Sequence, residues 1–321
     1  CVKNASTECV LNLEKENGEA HVVVYATAVY RYAHIVLHAG KKVLLSYTGT
    51  ISPNEVFERR IPTGLDETEL TLEVYDGSGR LMLSYTPMAK EIEQIPDPMA
   101  PAKDPEEIMT IEELYLTGLH IEQYRHATYD PDPYYLEALK RDPGDIRTNT
   151  AYGMLLLRRG LFADSERYFR RALKRMTWKN PNPYDSEAYY DLGLALWYQS
   201  RLDEAYDAFY KSTWTAAQQE MGYYYLAAID ARRQDFETAL EHIDKSLVKN
   251  AHNLKARALR GLILTSLARE EEAASWYREN LKLDAFDYVS GLELKKLCGE
   301  EPVDTAALMG NRVSNFIECA L

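Results

Sequence analysis

Between Ile146 and Asp284, small and apolar residues return at helical spacing in four copies. The small residues Ser165, Ala205, Ala239 and Ala273 are separated by 40, 34 and 34 positions. Twelve positions before each stands Gly153, Gly193, Ala227 or Gly261, and four after each stands Phe169, Phe209, Ile243 or Tyr277. Each copy has room for two helices. The small residues belong where two helix axes cross at close range, with the bulky residue filling the space beside them. One such hairpin cannot bury its apolar face alone, so the copies must stack. Residues 9–86 follow a different rhythm, alternating with a period of two through "HVVVYATAVY", "RYAHIVLHAG", "KKVLLSYTG" and "TELTLEVYD". Turn chemistry at Asn17-Gly18, Ala39-Gly40, Ser52-Pro53 and Asp76-Gly77-Ser78-Gly79 separates them. The pattern predicts six or seven short strands in a small antiparallel β-sandwich of immunoglobulin or fibronectin type, with "EVYDGSGRLMLSY" as its last hairpin.

The expected fold class is therefore multidomain, β then α: a sandwich over residues 1–88 followed by an α-solenoid of helix hairpins. Pro87, Pro96, Pro98, Pro101 and Pro105 crowd the junction and predict an extended connector over 89–110, outside both cores. A helix is expected from Ile111 to Arg125 and a shorter one from Tyr134 to Arg141, stopped by Asp142-Pro143-Gly144; together, as residues 111–145, they would cap the array. Four repeats then occupy 146–285, with Pro181 and Pro183 in the insertion that lengthens one period. Residues 286–321 read as a partial further repeat: "FDYVSGLELKKLC" opens a unit, Gly299 to Pro302 break it, and "ALMGNRVSNFIECAL" starts another helix. Its apolar face has no successor, and the chain opens on Cys1 without a Met, which predicts a piece of a longer protein.

The segments "YGMLLLRRGLFADSERYFRRAL", "YYDLGLALWYQSRLDEAYDAFYKS", "YYYLAAIDARRQDFETALEHIDKSL" and "LRGLILTSLAREEEAASWYREN" resemble tetratricopeptide (TPR) repeats. With "LTGLHIEQYRHATYDPDPYYLEALKRDPGDIR" and "NPNPYDSEAYYDLGLALWYQSRLDEAYDAFYKSTW", the region from about 88 to 321 resembles a bacterial family of long TPR proteins that carry a mutarotase-like β-sandwich of unknown function toward the N-terminus. That resemblance implies an internal piece lacking the large sandwich, and supplies no biochemical role.

Composition narrows the classes. The 46% hydrophobic and 27% charged residues are those of a globular protein, and the net charge of −13 offers no basic field for a phosphate backbone, so no nucleic-acid partner is expected. No apolar run of about 18 residues predicts a membrane span, and "CVKNASTECV" lacks the features of a signal peptide. Four unpatterned cysteines, Cys1, Cys9, Cys298 and Cys319, favour a reducing, cytoplasmic compartment, with pairing of Cys1 and Cys9 left open. Asn4-Ala5-Ser6 fits a glycosylation triplet that nothing else supports. There is no phosphate loop, nucleophile elbow or helical His pair, so no catalysis and no cofactor are expected. His120, His126, Asp130 and Asp132 are metal-type residues, but the histidines point to different helical faces and Asp130-Pro131-Asp132-Pro133 is turn chemistry. His34 and His38 would lie about 13 Å apart along a strand, too far for one ion. No metal site is expected.

A solenoid of this kind presents the first helix of each unit along a concave face. Counting from the crossing residues, that face should carry Arg147, Met154 and Arg158, then Tyr190, Trp197 and Tyr198, then Tyr224, Tyr225 and Arg232, and finally Lys255. An aromatic groove edged with basic residues suits an extended peptide or helix with acidic or apolar anchors. The expected function is a non-catalytic protein-interaction scaffold. Aromatic faces also stack on sugars, so the alternative is an accessory module of a carbohydrate-active protein. Tyr190 and Tyr224 are equally suited to packing between repeats.

Overall fold

The computed structural model describes residues 2–89, 100–124 and 127–299. They fall into two units divided between Pro98 and Met99.

The first unit is an antiparallel β-sandwich. Strands β1 (Asn4–Ala5), β2 (Cys9–Glu16), β3 (Glu19–Ala26) and β6 (Phe57–Pro62) form one sheet in the order β1-β2-β3-β6. The other runs β5-β4-β7-β8, from β4 (Tyr30–Ala39), β5 (Lys42–Ile51), β7 (Thr71–Tyr75) and β8 (Leu81–Tyr85). The eighth strand, beyond the expected six or seven, is the two-residue β1. Alternation places Ala20, Val22 and Val24 of one sheet and Ala33, Ile35 and Leu37 of the other in a shared core, with Leu11, Leu13, Leu72 and Val74. Glu16 pairs with Glu19, so Asn17-Gly18 is a two-residue loop with φ of 51° and 81° at its two residues, the positive values that Asn-Gly accepts and that match the strand twist. His34 bonds Ser46 at 3.0 Å and His38 the Gly40 carbonyl at 3.1 Å, so both are occupied in the sheet. Cys9 is a buried free thiol; Cys1 lies outside the described residues.

The second unit is an array of helix hairpins: α1 (Ile111–Gln123) with α2 (Asp132–Arg141), α3 (Ile146–Arg158) with α4 (Phe162–Met176), α5 (Glu187–Tyr198) with α6 (Leu202–Ser212), α7 (Ala216–Arg232) with α8 (Phe236–Lys249), and α9 (Leu254–Ser266) with α10 (Glu270–Leu283), followed by α11 (Tyr288–Leu297). Each helix packs on the next, and each first helix also touches the first helix of the following hairpin, giving the α-solenoid arrangement of TPR proteins. The crossing residues explain the tightness. A methyl group in place of the glycine hydrogen would lie 2.5 Å from Phe169 at Gly153 and 2.6 Å from Phe209 at Gly193, inside any real contact. Gly261 faces Tyr277 in the same way, and Ala227 with Ile243 does the job in the third copy, both fully buried. The hairpin expected as a cap uses this device too: at Gly118 the methyl would stand 2.7 Å from Tyr135.

The first helix of four hairpins ends alike. Gly160, Ser200, Gln234 and Ala268 have φ of 79°, 60°, 63° and 57°. The following amides donate back across the turn, Leu161 to Leu156, Arg201 to Leu196, Asp235 to Asp230 and Arg269 to Leu264, each at 3.0 Å. This is a Schellman termination, which reverses the chain into the second helix while satisfying the last carbonyls. Side chains near these corners then reach back one hairpin: Arg159 clamps Asp132 at 2.7 and 2.8 Å, Arg201 binds Glu166 at 2.7 Å, and Arg233 binds Asp203.

The proline-rich stretch departs from expectation at its second half. Ile108 is 2% exposed and belongs to a core with Leu114, Ile121, Tyr134 and Ala138. Arg141 donates to the carbonyls of Ile108 at 2.6 Å and Pro105 at 3.2 Å, so residues from about 102 onward pack into the helical unit. One apolar side chain and one arginine outweigh the extended bias of the prolines. Residues 90–99 and 300–321, including the further helix expected near the end, lie outside the described residues, as do Arg125 and His126.

Candidate functional site

Two consecutive first helices, α5 and α7, build an aromatic ridge. "YYDLGLALWY" in α5 sets Tyr190 and Trp197 two turns apart on one face, and "YYY" in α7 brings Tyr224 and Tyr225 beside them. Tyr225 stacks on Phe209 with centroids 4.6 Å apart and planes inclined by 5°. Trp197 meets Tyr225 edge-on at 5.4 Å, Tyr224 does so at 5.2 Å, and Tyr190 lies 6.2 Å from Tyr225 and 5.8 Å from Phe209. Rings in these tilted and offset arrangements attract one another beyond simple burial. Arg232 lies over Trp197 at 4.4 Å, a cation-π contact at the end of α7. Burial pushes the Tyr190, Tyr224 and Tyr225 hydroxyls above the ordinary tyrosine range. Tyr198 is the open member, 51% exposed, with its ring stacked on Phe162 of α4 at 4.9 Å.

The remaining residues expected on this face go to different places. Arg147 is exposed, ion-paired with Glu112 of α1, and its guanidinium lies 4.9 Å over Tyr115. Arg158 is ion-paired with Glu122 of α1. Met154 is half-buried against the core of the following hairpin. Lys255 on α9 is exposed and makes no ion pair among the described residues. The structure thus brings Tyr190, Trp197, Tyr224, Tyr225 and Arg232 into one cluster, with Tyr198 beside it and Lys255 apart.

Sequence counting missed an acidic group on the same stretch of α5. Asp191 is 3% exposed, and its Oδ2 is sealed from solvent without a hydrogen-bond partner. Burial, then the nearby charges of Glu187 and Asp185, push its carboxyl well above the usual carboxylate range, against a smaller opposing pull from Arg158. Glu187, one turn earlier, meets solvent, and its carboxyl is also raised, by the protein packed around it first and Asp185 second. The signal was an acid embedded in the otherwise apolar run "DLGLALW". Among the metal-type residues, His120 rests on Tyr124 at 4.5 Å and Asp132 is held by Arg159. No group of three potential metal ligands occurs among the described residues, and no described helix is long and apolar enough to cross a membrane.

An antiparallel sandwich followed by stacked hairpins with small-residue crossings is a β-sandwich joined to a TPR-like α-solenoid. Residues 4–85 match the family model of the YphG-like protein, second domain. Among solved structures, the chain is similar to Pseudomonas aeruginosa pilF at 16% identity and a TM-score of 0.52, over 65% of this chain and 96% of that one. It is also similar to MamA, at 20% identity and 0.46 over 55% and 95%, and to YrrB, a TPR protein with an unusual peptide-binding site, at 15% and 0.44 over 58% and 98%. The likeness to pilF is one of fold. A link to a mutarotase-like domain rests on the sequence resemblance alone.

Proposed function

We propose that this chain is a non-catalytic interaction module whose helical unit holds an extended peptide or a helix of a partner protein against the first-helix face of α3, α5 and α7. The observation that carries this reading is the contiguous ridge of Tyr190, Trp197, Tyr224 and Tyr225, half-open and continued by exposed Tyr198 and by Arg232. Aromatic and arginine side chains in a partly desolvated row are the anchors that dominate peptide interfaces: the aromatics bury a large area while losing little side-chain freedom, and arginine adds charge and directed hydrogen bonds. Tyr198 and Arg232 are the two that a partner reaches without repacking the core.

The test is selection of displayed peptides on the full chain, followed by fluorescence anisotropy with the selected peptides. Tyr198→Ala and Arg232→Ala should each weaken binding roughly tenfold, the loss of about 1.4 kcal/mol, while circular dichroism stays unchanged. Peptides that bind with equal affinity to both variants would place the interface elsewhere and sink the reading. An oligosaccharide array on the same protein checks the sugar alternative: sugar binding abolished by Trp197→Ala, with no peptide selected, would replace it.

A further inference from the structure

We infer that the α5 segment of this face is a lysine-accepting slot, in which Asp191 is the counter-ion for the ammonium of a partner peptide and the tyrosines of α5 and α7 flank its aliphatic stem. The inference deepens the peptide-binding reading and rests on it for the source of the lysine, though not for the chemistry of the slot.

Three observations meet here. Asp191 is a carboxylate taken out of water with no donor: among the described residues no hydrogen bond or ion pair reaches it, and only 3% of the residue remains open. A buried acid without a partner is costly to the fold, so its presence among the buried Leu192, Gly193, Leu194 and Ala195 of α5 calls for a compensating ligand. Among the described residues, the cation that acts on it is already engaged. Arg158 of α3 is paired with Glu122, which also accepts from the Tyr135 hydroxyl at 3.1 Å, so its charge is shared with α1. Finally, the groups around Asp191 raise the negative potential further. Glu187 lies one turn away on α5 and Asp185 just before the helix, and Asp191 contributes to the raised Tyr190 hydroxyl on the same helix.

The occupant's chemistry follows from the partly sealed carboxyl. Lysine carries a compact, three-donor charge on a slender apolar stem, which can enter a nearly closed opening and lie along aromatic faces. The wider planar guanidinium gains most from two parallel acceptors, and here one oxygen is sealed. This reverses the expectation of acidic anchors: the arginines Arg147 and Arg158 at the α3 end are neutralised by Glu112 and Glu122, and the unpaired charge left on that part of the face is negative.

The experiment titrates the full chain with n-butylammonium as the lysine side-chain mimic, with n-butanol and n-butylguanidinium in parallel, at low ionic strength and neutral pH, read by NMR of the tyrosine rings. One saturable site is expected, at least tenfold tighter for the ammonium than for either control, with affinity rising with pH because only the ionised carboxylate binds. Asp191→Asn should lower that affinity at least tenfold and, without ligand, melt at a higher temperature than the native chain, since a buried carboxyl without a partner is gone. Glu122→Gln should free Arg158 to compete and weaken the ammonium severalfold. Equal binding of butanol, tighter binding of the guanidinium, unchanged affinity in Asp191→Asn, or a lower melting temperature in that variant each overturns the inference; the last would show that the carboxylate has a structural partner. Because the mimic is not a peptide, the slot can stand where peptide selection fails, and peptides can bind the ridge without preferring lysine.

Discussion

At the scale of single residues, the array is governed by where a side chain must be absent or must twist. The crossings at Gly118, Gly153, Gly193 and Gly261 exclude a β-carbon, and their partners Tyr135, Phe169, Phe209 and Tyr277 fill the resulting hollow to complete burial. These pairs were readable in the repeats because the offset of sixteen from glycine to aromatic recurs. Gly118 escaped notice because its partner lies one position further on and the second helix of that hairpin lacks the small crossing residue. The left-handed corner residues show a site where three hairpins use something other than the best residue. Ala268 holds φ of 57° on an exposed corner with no side chain to hydrogen-bond locally. A left-handed conformation costs a non-glycine residue about 1–2 kcal/mol, partly offset by glycine's greater freedom when unfolded. Ala268→Gly should therefore stabilise the helical unit by roughly 0.5–1 kcal/mol, seen as a higher urea midpoint of the helical signal. A lower midpoint would contradict the conformation assigned to this corner.

Elements are joined by charges that sequence periodicity does not reveal, since ion pairs across hairpins join residues about thirty apart with no fixed motif. Asp132, expected as plain turn chemistry, opens α2 and is gripped by Arg159 at the end of α3. The Arg159 guanidinium holds its carboxyl below the usual range, against the opposing effect of burial. A lowered pKa in the folded state means that the contribution is present above the unfolded value near 3.8 and is lost as pH falls through it and below. Amide exchange in α2 should thus accelerate below about pH 4, relative to α8, and Arg159→Ala should remove that dependence while leaving α2 looser at neutral pH. An α2 that exchanges with the same pH profile in the variant would show that this pair does not couple the hairpins. The same limits explain the candidate face. Its aromatic content was legible because tyrosines on one helical face declare themselves, whereas the pairing of Arg147 and Arg158 with α1, and the isolation of Asp191, depend on which neighbours arrive from other hairpins. The connector misled for a related reason: proline chemistry is local, and the burial of Ile108 is a tertiary event.

For the whole molecule, the consequence of stacking is that each hairpin is stabilised chiefly by its neighbours in sequence, and the sandwich has its own core. Gly193→Leu should cost roughly 1–3 kcal/mol by driving α5 from Phe209. Its footprint should be graded, with amide protection falling most in α5 and α6, less in α4 and α7, and unchanged in β3 and β4 of the first unit. Uniform loss of protection from end to end would mean that the chain behaves as a single cooperative body, and no loss at all would mean that the crossing tolerates bulk. Either result would be visible by hydrogen exchange with mass spectrometry.

The longer interval between the second-helix small residues Ser165 and Ala205 leaves the Gly193–Phe209 contact as tight as its counterparts. Separation inside a hairpin is therefore fixed by atoms, while separation between hairpins is negotiable. The exposed pair Asn180-Pro181 is accordingly a place where a fluorescent reporter or an epitope could be spliced in, ahead of Asn182, whose side-chain oxygen accepts from Lys211 of α6 at 2.6 Å.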